Sequence, residues 1–426
     1  MALRIPLPTG YVAPGFQKVL HVYSENFKNG QEKGSSFAAY YKGQLVINLW
    51  GGLADAQVKR PWKEDTYGFF YSTTKFFASV TIAHMVERGL LNYEDKISNF
   101  WPEFSQNGKE NITLEMLLSH KAGLAALSDN FELRWMRDDP QKLTDMLAAQ
   151  APLWPPGSAH GYSPIVIGLY LNEIVKKVDK KGRQLSEYFN DEIAIPFGID
   201  FHIGVPKHLQ YRVARLEPTI ISKDSMAEMM GSFQGDISLF QLAFSQPKDW
   251  NSSRKLNDPD FMSLPCSASH GAGTAAAVAK LAGILANGGS HDGNILLQQG
   301  SIELLQQPLA HGIDLTTGVM EILGRGTMLL PVVEGSKCWF MTGHSGKGDQ
   351  YCAVDPVYKV GWAYITNFTD DFIAFNSKHK WSPLIQSLFE CVHDLEGVVL
   401  ERRILASYSD IEREKLESWL LNRSKL

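Results

Sequence analysis

Apolar side chains recur at three- and four-residue steps through Phe16, Leu20, Tyr23 and Phe27. That is the stripe of one helix face, and Asn29-Gly30 supplies its stop. The period then changes. Residues 37–41 and 45–50 read as two strands joined at Lys42-Gly43, a β-hairpin whose second strand ends at Gly51-Gly52. From Thr73 to about Arg88 the helical period returns through Phe76, Val80, Ala83 and Val86, and Gly89 closes it. Between about residues 95 and 310 helices and long polar loops dominate, with helices expected at 114–119, 165–178 and the Ala-rich 274–287. Strands come back at 337–341, 350–354 and 360–366, with Asp355-Pro356 as turn chemistry between the last two. An amphipathic helix at 383–395 precedes a tail rich in Glu and Arg.

Strands near both ends and helices between them predict an α/β chain of the α+β kind. One antiparallel sheet with flanking helices is built from both chain ends, and a mostly helical lobe is inserted. The expected division is a sheet lobe from 1–75 and 275–398, a helical lobe at 76–274, and a charged tail at 399–426. A cleft at the junction of the lobes is where a ligand would bind.

Composition narrows the class. A hydrophobic content of 44% and a charged content of 20% are those of a globular chain, not a disordered one. The formal net charge of −5 leaves no composition-level case for nucleic acid or an anionic membrane as partner. No run of about eighteen apolar residues exists, so a membrane span is not expected. Cys266, Cys338, Cys352 and Cys391 are scattered without a CxxC pair, which reads as reduced thiols in an intracellular protein. Prolines interrupt the first residues before an apolar signal core could form. The chain finishes Ser424-Lys425-Leu426, the address read by the peroxisomal import receptor. The expected location is therefore the peroxisomal matrix, or otherwise the cytoplasm.

The strongest chemistry lies at Tyr71-Ser72-Thr73-Thr74-Lys75. A serine hydroxyl needs a neighbouring base to become a nucleophile. At a helix start, residues i and i+3 share one face, so the Lys75 amine can reach the Ser72 hydroxyl. A lysine buried among apolar side chains has its pKa lowered and becomes a usable base. The same S-x-x-K pattern recurs at Ser245/Lys248, Ser252/Lys255 and Ser377/Lys380, but only Ser72 enters an apolar helix. By itself the pattern also fits a helix-capping serine followed by a lysine reaching for solvent. Tyr162-Ser163-Pro164 follows the turn Trp154-Pro155-Pro156-Gly157 and precedes an apolar helix. A phenol near a cationic lysine loses its proton more readily and could act as general base or acid. Gly343-His344-Ser345-Gly346-Lys347-Gly348 lies between two strands, a small-residue edge along which an acyl group could meet backbone N–H groups.

Read together, these segments resemble the serine β-lactamase and penicillin-binding-protein superfamily, nearest to class C enzymes and family VIII carboxylesterases. The resemblance runs over roughly residues 14–395 and extends to Leu49-Trp50-Gly51-Gly52-Leu53-Ala54-Asp55, to the segment from Ile112 through Leu124, to Pro196-Phe197-Gly198, and to Gly271-Ala272-Gly273-Thr274. It implies Ser72 as acylated nucleophile, Lys75 as its partner and Tyr162 as proton carrier. The Ser72 N–H and the Lys347 N–H would form the oxyanion hole, with His344, Ser345, Gly346 and Lys347 binding substrate. It implies no cofactor and no metal. Two positions depart from the family pattern. Pro164 stands where an Asn is usual, removing an amide that would orient Lys75 or the substrate. His344 stands where a Lys is usual, so the permanent charge offered to a β-lactam carboxylate is missing; the imidazole would gain charge only on acidification.

Other motifs fail on context. Gly343-His344-Ser345-Gly346-Lys347 lacks the final Gly of a G-x-S-x-G elbow, and Gly348 follows Lys347 where a P-loop needs Ser or Thr. The histidines show no HExxH spacing, and His120 and His270 read as structural. The expected activity is a serine hydrolase of the carboxylesterase kind, acting on a small-molecule ester, thioester or amide through an acyl-enzyme. The alternatives are a non-catalytic, filament-forming scaffold on the same fold, and a peptidase of small or D-amino-acid peptides. Oligomeric state is not legible, and the substrate pocket depends on loops such as 220–265.

Overall fold

Alternation along the strands divides the interior into two layers. In the computed structural model, the described residues are 5–218, 231, 233–248, 250, 252–335, 337–368, 379–399 and the backbone of 402–404. Ser377, the charged tail beyond 404 and Ser424-Lys425-Leu426 lie outside them, as does part of the 220–265 segment. An antiparallel sheet of eleven strands organises the chain. Nine strands make a continuous path: β1 (Thr9–Val12), β2 (Gly34–Tyr41), β3 (Gln44–Asp55), β4 (Ala310–Ile313), β5 (Met320–Leu323), β6 (Met328–Glu334), β7 (Lys337–Ser345), β8 (Tyr351–Asp355) and β9 (Val360–Thr366). Their spatial order is β1-β3-β2-β9-β8-β7-β6-β5-β4, with Arg60–Pro61 added to β3 and Arg402–Ile404 to β6. The two ends of the chain meet where β2 pairs with β9, from Ser35 opposite Thr366 to Tyr41 opposite Val360.

The helices are α1 (Gln17–Lys28), α2 (Thr74–Glu87), α3 (Val166–Val178), α4 (Ala275–Ala286) and α5 (Ser382–Glu396), with shorter helices between them. On β9, Ala363 and Ile365 face the core shared with α2 and α4, whereas Trp362 and Tyr364 face the core shared with α1 and α5. Period-two alternation therefore feeds both layers, which is why β9 is buried throughout and reads as a continuous apolar run. The α4 layer needs small residues. A Cβ on Gly361 would come within 2.1 Å of the Gly283 nitrogen, so this helix lies directly on the strand.

The expected α+β architecture holds, and the hairpin and these five helices fall where the apolar periods placed them. Of the nine strands on the continuous path, four differ from the expectation: β1, β4, β5 and β6. Gly312 and Pro331 interrupt the apolar pattern in two of them. Two boundaries also differ. Strand β3 continues past Gly51-Gly52 to Asp55. These glycines permit close approach instead of stopping the strand, since a Cβ on Gly51 would meet Pro8 at 2.8 Å and Phe27 at 2.9 Å. Strand β7 runs on to Ser345, so Gly343, His344 and Ser345 are strand residues opposite Ala353, Cys352 and Tyr351.

Candidate active site

A strained turn presents Ser72. The short strand Gly68–Phe69 pairs with Gly271–Gly273 and leads into a single 3₁₀ turn, Tyr71–Thr73, which passes directly into α2. Tyr71 has a φ of +47°, a left-handed conformation costing a non-glycine residue about 1–2 kcal/mol. Packing and hydrogen bonds hold it there. Its ring meets Phe69 edge-on at 5.4 Å, and its carbonyl accepts from the Thr74 hydroxyl. The Phe70 N–H donates to the Gly271 carbonyl at 2.8 Å, and the Gly271 N–H donates to Thr74 Oγ1 at 2.9 Å. Ser72 is left partly exposed at the mouth of a buried helix.

Lys75 lies one turn further on and is 2% exposed. Its Nζ donates to Ser72 Oγ at 3.1 Å, to the Pro164 carbonyl at 2.8 Å and to the Ala268 carbonyl at 2.9 Å. All three partners are neutral oxygens. Burial without a carboxylate partner pulls the Lys75 pKa down to about 7, so about half the amines are unprotonated at neutral pH. Pro164 thus supplies through its carbonyl an orienting contact for Lys75, although the family's amide is missing.

Tyr162 packs beside this amine, with Nζ 4.8 Å from the ring centroid. Its hydroxyl lies close enough to Ser72 for that side chain to favour the phenolate. Here the structure differs from the expectation of an acidified phenol. Burial pushes the Tyr162 pKa well above its ordinary value and outweighs the effect of Ser72, while Glu321 and Asp314 push the same way as burial. Tyr162 is a neutral phenol in the resting site, suited to donating a proton.

The third segment closes the site. His344 is 6.0 Å from the Tyr162 ring, centroid to centroid, and is 2% exposed. Its Nδ1 lies 2.6 Å from the Ser345 carbonyl. A carbonyl only accepts, so Nδ1 carries the proton and Nε2 is a bare acceptor. Burial first, and then the Lys75 charge, drive the His344 pKa down to about 3. The imidazole therefore stays neutral from pH 6 to 8.5, contrary to the expectation that acidification would charge it. Ser345 Oγ turns to Met328 Sδ at 3.3 Å, away from a nucleophile's role. The Gly346 N–H is taken by the Gln350 carbonyl at 2.7 Å, and Lys347 is partly buried, which lowers its pKa.

Gly346 brings this segment against the turn that carries Ser72. A Cβ there would sit 2.3 Å from the Phe70 carbonyl and 3.0 Å from Thr73 Oγ1. Gly346→Ala should accordingly displace the Ser72 turn and lower kcat roughly 100-fold. A steady-state assay of the variant, normalised by active-site titration, measures this directly.

The other serines have local duties. Ser252 caps the helix Ser253–Leu256 by accepting from the Lys255 N–H, and Ser245 Oγ donates to the Leu242 carbonyl at 3.4 Å. His270 bonds Ser269 at 2.8 Å and packs on Phe69 and Phe261. His120, read as structural, lies beside the site: its ring is 5.0 Å from that of Tyr162, and its Nδ1 accepts the Ser163 N–H at 3.1 Å. Asp314 was not anticipated at all, yet it accepts the Tyr162 N–H at 2.8 Å. The only local signal for it was an Asp ahead of Thr-Thr-Gly, an ordinary turn. Among the described residues, no three His, Cys, Asp or Glu side chains gather to hold a metal. No helix among them is long and apolar enough to cross a membrane.

The chain is similar to known proteins over most of its length. Residues 21–376 match the family model described as Beta-lactamase. The chain is 27% identical over 376 residues to "Esterase/beta-lactamase LipL" of Mycobacterium tuberculosis, covering 84% of this chain and 82% of that one. It superposes with a TM-score of 0.80 and 30% identity on the crystal structure of a family VIII carboxylesterase, over 90% of this chain and 99% of that one. A penicillin-binding protein homologue from Caulobacter crescentus gives a TM-score of 0.78 at 32% identity, over 91% and 99% of the two chains.

Proposed function

We propose, for a chain that belongs to the β-lactamase family of serine hydrolases, that it hydrolyses neutral carboxylic esters through an acyl-enzyme on Ser72. The observation that carries this reading is the 3.1 Å contact between Ser72 Oγ and a buried Lys75 with neutral partners only. The unprotonated Lys75 amine takes the Ser72 proton as Oγ attacks the acyl carbonyl. The resulting oxyanion is held by the Ser72 N–H and the N–H following Gly346, that of Lys347. As the tetrahedral adduct collapses, the neutral Tyr162 phenol protonates the departing alkoxide, and the Lys75 ammonium returns a proton to Tyr162. Water then attacks the acyl-Ser72 ester, Lys75 accepting its proton; as this second adduct collapses, the Lys75 ammonium returns that proton to the departing Ser72 Oγ and the acid leaves. The esterase names of similar proteins support the choice of ester over amide.

His344 argues for a neutral substrate. The family's lysine would offer a cation to a substrate carboxylate; here a neutral ring directs its single N–H to its own backbone. A carboxylate arriving at Nε2 meets a lone pair. We expect kcat/KM for a neutral p-nitrophenyl ester to exceed that for a chromogenic cephalosporin at every pH from 6 to 8.5. His344→Lys should raise the cephalosporin value by roughly tenfold, the difference a charge-assisted hydrogen bond makes. Efficient cephalosporin turnover by the parent, unimproved by the lysine, would refute the neutral-substrate assignment.

A further inference from the structure

The backbone of the Tyr162 motif is gripped from three directions. The Tyr162 N–H reaches both Asp314 oxygens, at 3.0 and 2.8 Å. The Ser163 N–H donates to His120 Nδ1 at 3.1 Å, and the Pro164 carbonyl accepts from Lys75. Pro164 has no N–H to satisfy. Of the remaining backbone polar groups of these three residues, the Tyr162 N–H, the Ser163 N–H and the Pro164 carbonyl are each bound to a side chain distant in sequence.

Asp314 is itself immobilised. It is fully buried, and its Oδ1 also accepts the Thr316 N–H at 2.9 Å, the Thr317 N–H at 2.8 Å and the Thr317 hydroxyl at 3.2 Å. The next residue, Leu315, donates its N–H to the His160 carbonyl at 3.0 Å, so the two segments are joined on both sides of the carboxylate. Gly161 makes the approach possible: a Cβ there would lie 2.8 Å from Thr316 Oγ1 and 2.5 Å from the Trp154 ring. A carboxylate buried solely to cap its own turn would need no fourth donor from a strand-distant tyrosine.

We propose that Asp314, seconded by His120, is a positioning residue that sets the Tyr162 phenol against Ser72. This rests on the role given to Tyr162 above. An asparagine at 314 presents one acceptor and one amide donor to the same set of N–H and O–H donors. One of them then faces an N–H₂ group, and the motif must move.

The test uses the full chain labelled with ¹³Cζ-tyrosine, the Tyr162 resonance being identified by its loss in Tyr162→Phe. Asp314→Asn should shift that resonance. It should lower kcat per titrated active site roughly ten- to hundredfold, as a displaced catalytic group does. KM should change by less than about twofold, since ground-state binding is untouched. In the Tyr162→Phe background the same substitution should cost less than about threefold, because the group it positions is already gone. An unmoved resonance, with the kcat loss equal in both backgrounds, overturns the proposal. Should Asp314→Asn not fold, His120→Phe keeps the ring and removes the acceptor; it should show the same non-additivity, and His120→Asn, which restores an acceptor, should recover most of the loss. Additive loss in His120→Phe counts against the proposal as squarely. Parent-level turnover by Tyr162→Phe would refute the role of Tyr162 in the reaction, whereas a shifted resonance in Asp314→Asn would still establish the clamp.

Discussion

Ser72→Ala is expected to lower kcat for a neutral ester by at least about 10⁴-fold, the scale on which losing an acylated nucleophile removes an enzyme's acceleration. Labelling by a fluorophosphonate should vanish with it. The fold should survive. Ser72 is a small, partly exposed residue on a turn held by Phe70, Tyr71 and Thr74, and its hydroxyl accepts from Lys75 and lies close to Tyr162. Losing these contacts costs about 1–2 kcal/mol, a few degrees in Tm for a chain of this length. Digestion and peptide mass mapping of the parent treated with the probe should place the adduct on the peptide containing Ser72. Retained turnover in Ser72→Ala, or an adduct on Ser245, Ser252 or Ser345, would remove the whole site assignment.

Lys75→Met should be nearly as damaging. Methionine keeps the length of the stem and discards the base, so kcat/KM should fall about 10²–10⁴-fold, the range for a positioned general base. The parent's pH profile carries the signature. With the Lys75 pKa near 7, kcat/KM for a neutral ester should rise with pH through about 7 and level off above it. That rise should be absent from Lys75→Met. Stability also rises with pH, over a higher window. The folded-state pKa is depressed from 10.5 to about 7, so between those values the unfolded chain binds a proton that the folded chain does not. Parent stability therefore increases as pH rises through this window and is lowest below pH 7, where burying the ammonium costs on the order of 5 kcal/mol. Lys75→Met should melt higher than the parent at pH 6, and the gap should close towards pH 10. A pH-independent difference in Tm would show that Lys75 is not desolvated in the folded protein.

Sequence and structure diverged in an orderly way. The stripe from Phe16 to Phe27 and the run from Phe76 to Val86 lie in helices α1 and α2, because helical period and stop residues are local properties. Strands β4 and β6 are not legible in the sequence because Gly312 and Pro331 break their patterns, and their identity as strands, like that of the four-residue β5, comes from ladder partners supplied elsewhere. Strand β6 is defined by β7 alongside it, from Met328 opposite Gly343 to Glu334 opposite Lys337. The end of β7 was misjudged for the same reason. Glycine and serine at 343 and 345 read as loop, yet β8 pairs with them.

What the sequence determined about this protein is the set of local relations. Ser72 and Lys75 stand one helical turn apart, Tyr162 precedes an apolar helix, small residues surround His344, and the order of these segments matches one family. Such relations depend on spacing along a few residues, and a few backbone dihedrals suffice to realise them. The tertiary structure alone decided which groups carry protons. Lys75 falls to about 7 because Pro164 and Ala268, 89 and 193 residues away, enclose it with carbonyls and no counter-charge. Tyr162 rises, and His344 falls to about 3, because the assembled interior desolvates both. Asp314 reaches Tyr162 across 152 residues. A protonation state is a difference in solvation between two forms of one group, and solvation is set by whatever the fold packs around it; no window of neighbouring residues contains that information.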